Sequence, residues 1–75
     1  MQVTLITFDR LGEFEDQDTI DLERYLQANF NTQDDHIWCS TNTLEVSDKV
    51  WDTVAFRLVL SNYSYSFKRI KVDSI

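Results

Sequence analysis

Apolar and polar residues change rhythm several times along this chain, and each change predicts an element. From Gln2 to Phe8, QVTLITF, apolar side chains occupy both parities, Val3 and Leu5 on one and Ile6 and Phe8 on the other. That pattern describes a strand covered on both faces. Leu11-Gly12 holds the only glycine, the natural place for a backbone turn that other residues resist, and should end the strand. The rhythm then becomes helical. Leu22, Tyr25, Leu26 and Phe30 fall at i, i+3, i+4 and i+8, which lays one apolar stripe against a core. The helix is expected from Thr19 to Asn29 or Phe30. Asp18 or Thr19 caps it by accepting a hydrogen bond from a first-turn amide, and Asp21 makes a shortened capping box with Asp18.

Beyond a polar link, TQDD, β-forming residues dominate and alternate with polar ones. His36 to Val46 reads as one strand with an interruption near Asn42. Val50 to Leu60 reads as the next, with Val54, Phe56, Leu58 and Leu60 on one face and Arg57 on the other. Val50, Trp51, Val54, Ala55 and Leu58 also fit a helical face, so periodicity leaves 50–60 open between strand and helix. In the last strand, Tyr63 to Val72, the residues Tyr63, Tyr65 and Phe67 share one parity while Ile70 and Val72 take the other. A β-bulge near Lys68-Arg69 would bring both sets to the core; without it they face opposite ways. The resulting order, β-α-β-β-β, describes a single α+β domain with one helix packed on a mostly antiparallel four-stranded sheet.

At 75 residues such a domain is marginal, because a chain of this size buries only about 60% of its unfolded surface. It is 43% hydrophobic and carries five phenylalanines, three tyrosines and two tryptophans, too apolar for intrinsic disorder. One cysteine, Cys39, excludes an internal disulfide, and one histidine leaves no ligand set for structural zinc. Self-association is the remaining staple. No window approaches the run of about 18 apolar residues that a spanning helix needs, and no targeting segment is visible. The expectation is a soluble, cytoplasmic protein with no membrane partner.

The residues offer little to a reaction. His36 and Cys39, the only pair for thiol chemistry, lie three apart on a predicted strand, where odd spacing sends side chains to opposite faces. Cys39 is expected to be a small buried hydrophobe, and His36, after two aspartates, an exposed polar residue. An EF-hand register begun at Asp16 places Asp18 correctly but puts Ile20, Asp21 and Gln27 where a ligand, a glycine and a glutamate belong. One glycine cannot build a phosphate loop. No catalytic residues, metal or cofactor are expected, and the chain reads as non-enzymatic.

Charge is the informative feature. Net charge is −6, yet residues 1–48 hold eleven acids against two bases, and residues 49–75 five bases against two acids. Six of the acids crowd into Glu13 to Glu23, EFEDQDTIDLE. Acids in a helix's first turn complement the macrodipole, which accounts for Asp18, Asp21 and Glu23. Glu13, Glu15 and Asp16 precede that turn. Lys68, Arg69 and Lys71 could answer them internally. Otherwise Glu13, Glu15, Asp16, Asp18, Asp21 and Glu23, continued by Asp34 and Asp35, form a negative ridge suited to a basic groove on a host protein.

In size, acidity, lack of a catalytic set and shortage of glycine and proline, the chain resembles the small inhibitor proteins of bacteriophages and mobile elements. Anti-CRISPR proteins and DNA mimics are of this kind, and the resemblance implies blockade of a nucleic-acid-handling complex in the host cytoplasm. An alternative reading makes Tyr63, Tyr65, Lys68, Arg69 and Lys71 a platform for single-stranded nucleic acid. A third makes the chain a homodimeric assembly subunit that pairs through its last strand or another sheet edge.

Overall fold

A computed structural model of the chain describes residues 2–9, 14–30 and 35–71. Its elements run β1 (Gln2–Phe8), α1 (Asp16–Asn29), β2 (His36–Ser40), β3 (Thr43–Ser47), α2 (Asp48–Trp51), α3 (Val54–Leu60) and β4 (Tyr65–Lys71). The class is the expected one, a main helix with a four-stranded antiparallel sheet. The strands lie in the order β2-β3-β1-β4, so β1 is central. Leu11-Gly12, the anticipated end of the first strand, lies outside the described residues.

Strand parity divides the sheet into two unlike faces. Thr4 and Ile6 of β1 lie opposite Val46 and Leu44 of β3, and all four are fully buried along with Phe8. Leu22 and Leu26 of α1, Val50 and Trp51 of α2, and Phe56 and Leu60 of α3 complete one core on this side. The predicted stripe of α1 holds, with Tyr25 and Phe30 packed at its margin. Helix α1 leans over the β2–β3 hairpin: Thr19 Oγ1 donates to the carbonyl of Thr41 in its turn at 2.6 Å. Toward the other edge of the sheet, on the same face, the Trp51 ring lies 4.7 Å from that of Phe67 in β4. On the opposite face Val3 is buried at 7% exposed and Leu5 is half-buried, as the double parity of β1 suggests, but neither joins the helix-side core, and Thr7 is exposed.

Two segments depart from the alternation. His36–Val46 is a hairpin, broken by a turn at Thr41-Asn42 where the interruption was expected. The stretch 50–60 is helical, not a strand. Since β3 and β4 both run antiparallel to β1, they are parallel to each other with β1 between them. The connection must therefore cross about 10 Å of sheet, two strand spacings, on one face. A helical crossover buries Val50, Trp51, Phe56 and Leu60 as it goes, which an extended chain could not do without sheet partners. The break at Asp52-Thr53 resets the helical phase, so Val54 and Leu58 of the sequence-derived face stand 71% and 65% exposed. Arg57 secures the corner, its Nε donating to the Trp51 carbonyl at 2.8 Å while its guanidinium lies 4.9 Å above the Trp51 ring.

β4 pairs with β1 in unbroken register from Lys71↔Gln2 to Tyr65↔Phe8. There is no bulge at Lys68-Arg69, so Tyr65, Phe67, Arg69 and Lys71 share the helix side while Ser66, Lys68 and Ile70 face away. The sheet's irregularity sits instead in β2, between Trp38 and Ser40.

Candidate functional site

Helix α1 begins three residues before the expected start. Glu15 is its N-cap, and the Glu15 N–H donates to Asp18 Oδ2 at 2.9 Å. Asp18 is thus the third helical residue, not the cap, and it satisfies a backbone donor that the helix leaves open. The earlier start draws Asp16 into the first turn, where the macrodipole favours it.

The structure divides the predicted ridge. Glu15, Asp16 and Asp21 are exposed at the start of α1, with Asp18 partly covered between them. Asp21 Oδ1 accepts a hydrogen bond from Gln17 Nε2 at 3.0 Å. Glu23, two residues on, turns to the sheet. Its Oε1 accepts from Trp38 Nε1 at 2.9 Å and lies 2.7 Å from His36 Nε2, and its Oε2 accepts from Gln27 Nε2 at 2.6 Å. Partial burial works to raise the carboxyl's pKa, but the hydrogen bonds from Gln27, His36 and Trp38, with the His36 charge, outweigh it and hold the group below its ordinary value. Asp35 is likewise engaged, its Oδ1 accepting from Ser47 Oγ at 3.3 Å and its Oδ2 lying 3.7 Å from Lys49 Nζ. Glu13 and Asp34 lie outside the described residues.

The C-terminal cations do not neutralise the helix start. Arg69 is held by Asp48 at 2.6 Å and donates to Gln2 Oε1 at 3.0 Å. Among the described residues, Lys68, Arg69 and Lys71 make no ion pair with Glu15, Asp16, Asp18 or Asp21. The negative field of the cluster is felt by Tyr63, whose hydroxyl is pushed above its ordinary pKa by burial first and by the Asp18 and Asp21 charges second.

The five residues of the alternative nucleic-acid platform are not gathered on one face. Tyr63 packs edge-on against Phe8 and Phe14, with ring centroids 5.7 and 5.5 Å apart, and Tyr65 tilts against Phe8 at 6.2 Å. Lys68 points to the other side of the sheet from Arg69 and Lys71. The exposed ring of this strand is Phe67.

Sequence reasoning missed the cluster of Glu23, His36 and Trp38. His36 is covered by α1, with 9% of its side chain accessible, and Cys39 is exposed, the reverse of both expectations. Alternation did separate them, since His36 and Trp38 share one side of β2, but hydropathy favours Ile37 and Cys39 for the interior. A carboxylate on α1 able to accept from both ring N–H groups reverses that choice. Among the described residues no group of three or more His, Cys, Asp or Glu side chains could hold a metal ion. An open cleft of about 740 Å³ at the end of β1 is lined by hydroxyls, aromatic rings, Asn42 and Asp9, without imidazole, thiol or amine. The comparisons of the chain with protein-family models, curated proteins and solved structures find no match.

Proposed function

We propose that this chain is a small, non-enzymatic binding protein whose acidic helix start docks on a basic surface of a host protein, of the kind that otherwise holds nucleic-acid phosphates. The supporting observation is that Glu15, Asp18 and Asp21 stand together toward one end of α1 with no ion-pair partner among the described residues, while Arg69 is committed to Asp48. Carboxylates concentrated on a rigid helix terminus attract a positively charged groove and steer its approach. Glu23 and Asp35 support the scaffold, so the docking set narrows to Glu15, Asp18 and Asp21. An inhibitor of bacteriophage or mobile-element type, acting in the host cytoplasm by imitating nucleic acid, fits a surface of this composition.

Affinity capture from a bacterial extract tests this with the native chain and a Glu15→Lys/Asp21→Lys variant side by side, which leaves the Asp18 capping contact intact. The native chain is expected to retain a nucleic-acid-binding enzyme that elutes with salt and is displaced by duplex DNA. Identical retention by the variant would end the reading.

A further inference from the structure

The face of the sheet turned away from the helices carries a second pattern. Its central row runs Ile37, Glu45, Leu5, Lys68 across β2, β3, β1 and β4. Beside it lie Ser47, Val3 and Ile70, and on the other side Thr43, Thr7 and Ser66. The middle of the face is apolar, with Val3, Leu5 and Ile70 contiguous; Val3 is already buried at 7% exposed, Leu5 and Ile70 are half-buried, and Ile37 is 55% exposed at the flank. One acid and one base bracket Leu5 at equal strand spacing. Among the described residues neither Glu45 nor Lys68 has an ion-pair partner, and no helix packs on this side.

We propose that this face is the interface of a homodimer, two copies packing sheet to sheet about a two-fold axis that runs along β1. Such an axis reverses the order of strands across the interface while keeping each row opposite itself. Leu5 meets Leu5 on the axis. Each Glu45 falls opposite the other copy's Lys68, so the bracketing charges form two equivalent ion pairs. An axis running across the strands would instead set Glu45 against Glu45, so the charge pattern selects the orientation. The same surface patch is used twice, as a closed isologous dimer requires, and sheets stack at about 10 Å, within reach of a glutamate and a lysine. The product is a four-layer helix-sheet-sheet-helix particle. It leaves the acidic starts of both α1 helices on the outside and covers apolar surface that a domain of 75 residues can ill spare. This interface differs from the edge-to-edge pairing that the sequence suggested, where the bases of β4 would face those of a second β4.

Sedimentation equilibrium of the full chain, from low micromolar to submillimolar concentration, tests the dimer and its geometry together. The native chain should show a concentration-dependent dimer. Glu45→Lys and Lys68→Glu each convert both ion pairs to like-charge contacts and should weaken association by about tenfold or more. Mixing the two single variants should restore it, because each copy then supplies the charge the other lacks. A monomer at every concentration, a dimer indifferent to both substitutions, or a mixture no stronger than its components would each overturn the proposal. Circular dichroism of each variant verifies that these exposed substitutions leave the fold intact.

Discussion

Glu23 and Asp21 sit two residues apart on one helix, and their carboxylates do different work. Glu23 is surrounded by three side-chain N–H groups, two of them from β2, and ties α1 to the sheet. Asp21 stands in solvent, where it accepts a hydrogen bond from Gln17 of its own helix. The difference is rotation: at 100° per residue, two steps carry a side chain from the outer surface to the flank above β2. Acidity in a sequence is therefore not one property. The six acids of EFEDQDTIDLE include one that belongs to the scaffold and others that belong to the surface, and only the latter are available to a partner.

The contrast is broken most strongly at Glu23. Replacing it with alanine strips the acceptor from His36 and Trp38 beneath the helix and should cost about 2 kcal/mol in chemical denaturation, whereas Asp21→Ala should change stability little. A Glu23→Ala chain as stable as the native one would show that the cluster does not hold the fold. The same carboxylate sets the acid limb. Its folded pKa lies below the ordinary value of 4.5, so the unfolded chain takes up the proton first, and stability present above that pH is lost as pH falls through the folded value. The limb should be shallower in the Glu23→Ala variant. A smaller loss, about 0.5–1 kcal/mol, is expected for Asp18→Ala, which leaves the Glu15 N–H without its acceptor. The finest probe of the outward group is Tyr63. Because burial, then Asp18 and Asp21, hold its hydroxyl above the usual value, folding stability should fall as pH rises above about 10, where the unfolded tyrosine ionises first. Asp18→Asn/Asp21→Asn should move the Tyr63 ionisation midpoint, followed by ultraviolet absorbance, downward. An unchanged midpoint would mean that the acids do not project their field toward Tyr63.

Much of the fold was legible where one physical rule acted alone. The stripe Leu22, Tyr25, Leu26, Phe30 sorts a helix from solvent by geometry that needs no partner, and the apolar runs of β1 admit no other reading. Legibility failed where two rules competed. Residues 50–60 satisfy both periods, and the choice was made by the crossover between two parallel strands. In β2, apolar parity favours Ile37 and Cys39 for the interior, but Trp38 supplies more surface to bury and His36 can be satisfied there. The candidate site was readable as composition and not as placement, since charge counts do not say which way a helix is turned.

The α+β class, the position of the long helix and the concentration of acids at its start are local consequences of residue order, because hydrophobic period and first-turn chemistry act within a few residues. Which acids are spent on the fold, which face of β2 lies inward and what crosses from β3 to β4 depend on groups that meet only after the chain has closed. His36 lies thirteen residues from Glu23 and Asp48 twenty-one from Arg69, and no period in the sequence records a contact at those separations.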